Sequence, residues 1–428
     1  HSTDVNFTFT LTAVQKTGDL FFRLSVPNEW SWVAVGTGSQ MKSALIFLTY
    51  ANTNGKDIVL SPRIATGHSE PSYNSKINLS QVDPPSGDSH PNGVHDDTWF
   101  TSGICRNCTA PGLGANSIDL TSTSQPFIFA FGPQDKNPDS NSLSAPLRRH
   151  TAYGYFEMDM TKATVTSTDD DDISKITVPA LGTGSNGASI QGDIHDDHET
   201  SSPIHAVLMC FAFLVAFPLG VFAARIMGKV AWHQAVQSVG MIIVIGGMGA
   251  GLYAGKFYNR SKHVTNGHQI FGLLIVALIL VQWVLGFIHH RHYVKTQQPF
   301  KNGLFVKIHR VLGPVVMAAG VINGAFGFRF ALTRWNLIYV PLVLVVIILL
   351  IASAGIKFFL GKKHRAKEQP TYGNAPPVYP NAPAPPYSGV GTFYPPPAQP
   401  YNDNNSWQAT RSDIQLTSFE PERPKQMV

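Results

Sequence analysis

IHAVLMCFAFLVAFPLGVFAA, residues 204–224, is the first of five long apolar segments that run from Ile204 to Leu360 with short polar loops between them. They read His205–Ala224, Ala231–Phe257, His268–Ile288, His309–Phe328 and Leu337–Phe359. Each has roughly the 20 mostly apolar residues that a membrane-spanning helix needs. The expected fold of this half is therefore an all-α five-helix transmembrane bundle over residues 204–360.

Cytoplasmic loops of membrane proteins carry an excess of Lys and Arg. Arg225 and Lys229 follow the first segment, Arg291, Lys295, Lys301, Lys307 and Arg310 lie between the third and fourth, and Lys357, Lys362, Lys363, Arg365 and Lys367 follow the fifth. The opposite side has Lys256, Arg260, Lys262, Arg329 and Arg334. The N-terminus is expected outside and the C-terminus in the cytosol, in the plasma membrane or a secretory-pathway membrane.

Alternating helix direction then gives each histidine a depth. His205 and His268 each begin a descending helix and share the outer level; His233 and His309 each begin an ascending helix and share the inner level. Polar side chains in hydrocarbon are costly and mark pathways, pairings or cofactors. Two imidazoles on facing helices complete the coordination of a haem iron and leave no position for oxygen or substrate. Histidines at membrane interfaces without a cofactor are the bland alternative. A zinc or copper transporter is another, although its ligands would cluster at one depth with carboxylates or thiols, and these spans hold no Asp or Glu.

Residues 204–359 resemble the cytochrome b561 and ferric reductase transmembrane family. The resemblance rests on His205, Pro218-Leu219-Gly220 with Arg225, Trp232-His233-Gln234, Gly267-His268-Gln269 with Gln282, and His309-Arg310-Val311-Leu312-Gly313. It implies a four-helix core holding two b haems through histidine pairs on alternate helices.

The two halves of the 428-residue chain differ in character, and its net charge of +5 is accounted for by the inner loops and tail, so no nucleic-acid partner follows. It begins His1-Ser2-Thr3 without a methionine or an apolar leader, which reads as a mature protein whose signal peptide has been removed. The N-terminal half is then expected in an oxidising space, with glycosylation acceptors at Asn6, Asn78 and Asn107, while Asn259 lies close to the bilayer. Cys105 and Cys108 read as a disulfide closing a short loop, with a redox-active dithiol as the alternative; Cys210 is a small residue inside the first span.

From Val5 to Met160 short strand-like runs separated by Gly, Pro, Asn and Asp indicate an antiparallel β-sandwich: Val5–Val14 and Leu20–Val26 alternate, Trp32–Val35, Ala44–Tyr50 and Ile58–Ser61 are β-rich, and Phe127–Phe131 and Tyr153–Glu157 close the series. Within it, Gly36 to Met41 forms a turn that ends on a thioether, and His150 precedes the last strand. Methionine with histidine is a haem ligand pair that raises the potential. Equally, Met41 fills a core gap and His150 is a loop histidine.

Residues 5–160 resemble the cytochrome domain of fungal cellobiose dehydrogenase, a DOMON-type sandwich. The motifs are Trp32-Val33-Ala34-Val35-Gly36-Thr37-Gly38 leading to Met41, Arg63-Ile64-Ala65-Thr66-Gly67-His68, and His150-Thr151-Ala152-Tyr153-Gly154. The resemblance implies that Met41 and His150 bind a third haem b; His68, His90 and His95 are rival ligands, and no flavin domain accompanies the sandwich. A copper site at His1 lacks a matching second histidine.

Thr161 to Pro203 reads as an acidic and Gly/Ser-rich tether. Residues 361–428 read as a disordered cytoplasmic tail rich in Pro and Tyr, in which Pro376, Pro377 and Tyr379 match a ligand of WW domains. The functional expectation is trans-membrane electron transfer from a cytosolic reductant, ascorbate by the resemblance, to ferric iron, copper or a secreted redox enzyme outside. Arg225, Lys229, Lys307 and Arg310 are candidates for attracting an anionic donor. The rival from another class is a membrane-anchored carbohydrate-binding or adhesion module with a haem-free sandwich.

Overall fold

The alternation in TFTLTAV and LFFRLSVP is that of strands with one face on a core, and a computed structural model pairs them as β1 (Thr8–Val14) and β2 (Leu20–Pro27). The structure describes residues 7–109, 117–134, 140–181, 187–296 and 303–367. After β2 come β3 (Val33–Thr37), β4 (Leu45–Ala51), β5 (Ile58–Ile64), β6 (Ser72–Tyr73), β7 (Asn78–Gln81), β8 (Gly93–His95) and β9 (Thr98–Arg106). Then follow β10 (Gln125–Phe131), β11 (Ala152–Met158), α1 (Met160–Ala163), β12 (Thr164–Val165), α2 (Asp170–Ser174) and β13 (Ala188–Asp196).

One sheet runs β12-β1-β2-β9-β7, with β8 also on β9, and the other runs β13-β11-β10-β3-β4-β5-β6. Pairing is antiparallel apart from β1 with β12. Phe22, Phe47, Trp99, Phe127 and Phe129 fill the space between the sheets. Each such burial contributes about 1.5–3 kcal/mol.

The period-2 alternation that sends Val33 and Val35 into that core sends Trp32, Ala34, Ile46, Leu48 and Tyr50 to the other face of the second sheet. There they form a second buried apolar layer with Ala145 and Leu147. Cys105, at the end of β9, is joined to Cys108.

The expected tether is largely structured. β13 lies inside it and pairs with β11 from Ala152 opposite Asp196 to Met158 opposite Ala188. The exposed edge of β11 offers backbone donors and acceptors that the segment satisfies. Its side chains are mostly exposed polar residues, so no apolar pattern announces the strand. The acidic run forms α2, where Asp169 caps the helix and Asp170 pairs with Lys16 at 2.7 Å.

The membrane half consists of α3 (Ser201–Phe211), a π-helical turn (Ala212–Ala216) continuing into α4 (Phe217–Arg225), then α5 (Val230–Gly255), α6 (Gly267–Thr296), α7 (Leu304–Phe330) and α8 (Asn336–Lys367). Among the described residues four helical stretches, Ser201–Arg225, α5, α6 and α7, are long and apolar enough to cross a membrane. The expected fifth span falls in α8, whose described apolar part, Asn336–Ala352, is shorter than a full span. Large apolar residues such as Val207, Trp232, Ile242, Ile270, Val311 and Ile322 face outward, as lipid contact requires. Asn6 and the Pro376-Pro377-Val378-Tyr379 motif lie outside the described residues.

Candidate haem sites

All four membrane histidines make the same bond. His205 Nδ1 donates to the Gly247 carbonyl (2.7 Å), His233 Nδ1 to Gly220 (2.8 Å), His268 Nδ1 to Asn323 (3.0 Å) and His309 Nδ1 to Gln282 (3.1 Å). A carbonyl only accepts, so each Nδ1 carries the proton and each Nε2 keeps its lone pair for a metal. Two of the partners close the clamp in return: Asn323 Nδ2 donates to the His268 carbonyl at 3.2 Å and Gln282 Nε2 to the His309 carbonyl at 2.8 Å.

The donors and acceptors are exchanged within two antiparallel hairpins. The helix from Ser201 to Arg225 and α5 trade His205 and His233; α6 and α7 trade His268 and His309. Fourteen residues separate His233 from Gly247, His268 from Gln282 and His309 from Asn323. That is nearly four helical turns, or about 21 Å, so each helix presents a histidine at one level and an acceptor at the other.

In the first helix the interval from His205 to Gly220 is fifteen, and the π turn takes up the extra residue. Its cause is local: Pro218 has no N–H for the Leu214 carbonyl, and the Phe217 N–H bonds back to Ala212. Deleting Val215 is expected to leave an ordinary helix with the fourteen-residue interval and retained haem, whereas deleting Ile242 from α5 is expected to lose haem, as read by absorbance per chain.

Three of the four rings also lie on a glycine one turn beyond the acceptor. A Cβ at Gly251 would stand 2.6 Å from His205 Nδ1, one at Gly327 2.7 Å from His268 Cε1, and one at Gly286 2.9 Å from His309 Cε1. Ala224 occupies the fourth such place, opposite His233. Neither the acceptors nor these seats follow from reading histidines alone; the repeated interval is the signal that finds them.

At the level expected to be the outer one, the His205 and His268 rings stand edge-on to each other with centroids 6.0 Å apart. Two imidazoles that held one metal ion between them through Nε2 atoms at about 2 Å would have centroids roughly 6 Å apart. The outer pair fits a six-coordinate haem iron. At the inner level His309 is within electrostatic reach of His233 and Arg225. Between the levels lies a buried apolar layer of Phe213, Phe217, Met241, Val244, Ile275, Ile279 and Val316. Among the described residues no group of three or more His, Cys, Asp or Glu is placed to hold a metal ion.

On the sandwich, Met41 packs against the second apolar layer, where Ala34, Gly36 and Ala130 keep the sheet face low. His150 stands on the same face, edge-on to Tyr153 at 5.2 Å, and Trp32 Nε1 donates to the nearby Arg148 carbonyl at 3.1 Å. The two candidate ligands thus share a face, and this donor set, a thioether and an imidazole, fits a haem of the Met/His kind. His150 Nδ1 lies 3.1 Å from Asp197 Oδ2, within ion-pair range although without hydrogen-bond geometry. Burial pushes the imidazole below its ordinary range against the pull of Asp197, with Arg149 and His68 adding to the depression. Asp197 belongs to the stretch expected as tether.

Of the rivals, His90 stacks on Phe100 at 4.5 Å, His95 is 6.3 Å from the same ring, and His68 is exposed near His150. Arg225, Lys229, Lys307 and Arg310 are exposed at one end of the bundle, where α4 ends and α5 and α7 begin. Asn78 and Asn107 are exposed on the sandwich.

Residues 1–169 match the family model for the cytochrome domain of cellobiose dehydrogenase, and residues 191–292 match a domain of unknown function, DUF2427. Over residues 1–169 the chain is thus similar to that cytochrome domain, and helices consistent with a membrane domain follow. Among solved structures, the cytochrome b domain of pyranose dehydrogenase from Coprinopsis cinerea is 22% identical over 38% of this chain and 80% of that one, with a TM-score of 0.33. The cytochrome domain of Myriococcum thermophilum cellobiose dehydrogenase is 14% identical over 41% of this chain and 85% of that one, with a TM-score of 0.32. Comparison with curated proteins gives no match.

Proposed function

We propose that the protein carries electrons across a membrane, with b haems held by His205 and His268, by His233 and His309, and by Met41 and His150. The observation that carries this reading is the set of four Nδ1-to-carbonyl bonds, which leaves four Nε2 lone pairs at two levels of one bundle. A six-coordinate haem supplies one-electron chemistry and has no open position for oxygen.

The chain's own residues do the rest. The carbonyl clamps fix ring orientation and tautomer, and the apolar layer around Phe213 and Phe217 keeps water from the space between the levels. With the inner side negative, a full outward crossing of one electron gains about 2.3 kcal/mol per 100 mV, and a Met/His site at the outer end favours the same direction. The donor side is then the basic inner end, where Arg225, Lys229, Lys307 and Arg310 draw an anionic cytosolic reductant such as ascorbate. The acceptor is a ferric or cupric ion or a secreted redox enzyme.

Proteoliposomes loaded with ascorbate are expected to reduce an impermeant external ferric chelate. Transfer at the rate of empty vesicles would sink the conduit. Arg225→Ala is expected to raise the donor concentration needed for half-maximal rate, and an unchanged value would remove the donor role from this residue.

A further inference from the structure

The α5–α6 loop is held by the sandwich, and one buried carboxylate organises the contact. The side chain of Glu70 is 4% exposed and sits 3.9 Å from buried Arg63. Its Oε1 accepts from the Leu147 N–H at 2.7 Å within the sandwich, and its Oε2 accepts from the Asn259 N–H at 2.8 Å on the loop. The Glu70 N–H donates to the Phe257 carbonyl at 2.7 Å. From the loop side, Arg260 Nη1 donates to the Leu147 carbonyl at 2.8 Å.

Arg260 also links this contact to the outer histidine level. Its guanidinium lies 4.6 Å from the Tyr258 ring centre and 5.7 Å from that of Phe330, and the Phe330 ring is 5.9 Å from that of His268. On the sandwich side, Leu147 is three residues from His150, and Arg149 reaches over Phe257 at 6.0 Å.

The covalent connection is equally short. β13 ends at Asp196 and α3 begins at Ser201, so four residues join sheet to membrane helix. A chain spans at most about 3.5 Å per residue. The Asp197 N–H is itself bonded to the Thr151 carbonyl at 2.8 Å, and the Ile204 N–H to that of Thr200 at 3.0 Å. A long swing would require β13 to leave β11.

We propose that Glu70 is a positioning residue, a buried latch that, with Arg260, docks the His150 edge of the sandwich on the α5–α6 loop beside His268. Resting on the conduit reading, this makes the outer transfer intramolecular and fixed: one electron leaves the His205/His268 site and arrives at the Met41/His150 site, and the cytosolic reductant replaces it. The short connection and the latch act together against swinging.

The test uses full-length protein in nanodiscs carrying Ser72→Cys and Asn259→Cys, whose native side chains stand 3.3 Å apart. A short bifunctional thiosulfonate is expected to link the pair readily. Glu70→Gln turns an amide N–H₂ toward one of the two backbone N–H donors and loses the charge; bonds to a charged group of this kind support an expected fall in linking rate of about tenfold or more. Transfer from the outer membrane level to the sandwich is expected to slow in parallel while each haem spectrum stays unchanged, and the cross-link is expected to restore it. Arg260→Lys, altered on the other side of the contact, is expected to act in the same direction if Glu70→Gln misfolds. No linking in the native background, or linking in both variants as fast as in that background, overturns the latch. Normal linking with a colourless sandwich upholds the latch and overturns the conduit reading.

Discussion

Full-length protein carrying His268→Ala is expected to hold one haem fewer than the unsubstituted chain and to lose transfer across the bilayer, while the inner site keeps its spectrum. The His268 ring stands edge-on to that of His205 at 6.0 Å, and its Nε2 is the lone pair that the Asn323 carbonyl leaves available. Alanine removes that ligand and little else, because the Asn323 carbonyl belongs to α7 and Asn323 Nδ2 still has the backbone carbonyl of residue 268 to bond. Partners that only orient a metal ligand cost about 10–100-fold when changed, and loss of the ligand itself is expected to exceed that. His263, exposed on the α5–α6 loop, is the control, and His263→Ala is expected to change neither haem content nor rate. Equal haem in both variants would remove the outer site from the account.

The second large effect has a sign that helix propensity alone would get wrong. Glycine inside a helix costs about 1 kcal/mol relative to alanine, so Gly249→Ala, with nothing within 4 Å of the added Cβ, is expected to stabilise α5 by up to about that amount. Gly251→Ala, two residues on, places the same atom 2.6 Å from His205 Nδ1 and 2.8 Å from Cε1. Overpacking of that kind costs about 1–3 kcal/mol, and here the displaced group is the ligand, so the outer haem is expected to be depleted as well. Gly327→Ala is expected to do the same through His268, and Gly286→Ala to deplete the inner site through His309. Haem per chain and Tm in detergent read all four variants. Matching behaviour of Gly249→Ala and Gly251→Ala would show that the glycine is not a seat for the ring.

Much of this architecture is legible in the chain because the physics acts locally. Apolar length marks the helices, alternating direction assigns the histidines to levels, and the His205–His268 pairing follows from both. Period-2 alternation marks β1 and β2, and short β-rich runs between turn residues mark β3 to β5, β10 and β11. The longest buried strand, β9, escapes because its inward and outward positions are Thr101, Ser102 and Gly103 as well as Trp99 and Ile104, and burial on both faces erases alternation. β13 escapes for the opposite reason: its side chains stay in solvent and backbone pairing alone holds it. Glu70 reads as a surface carboxylate until the fold brings Leu147 and Asn259, far apart in sequence, to its two oxygens.

The glycine seats were within reach of the sequence. A histidine, an acceptor fourteen residues on and a small residue one turn later recur in α5, α6 and α7, and the first helix departs by the one residue that its π turn absorbs. Counted as intervals, the two hairpins read as copies of one device.

Haem content per chain, taken with the reduced-minus-oxidised spectrum of the purified full-length protein, is the measurement that bears most directly on the central claim. Three b-type haems are expected, two of them lost when His205, His233, His268 and His309 are all replaced by alanine and the third lost with Met41→Ala or His150→Ala. Protein that folds in the membrane without haem, or that keeps its full haem content after the four replacements, would contradict the account.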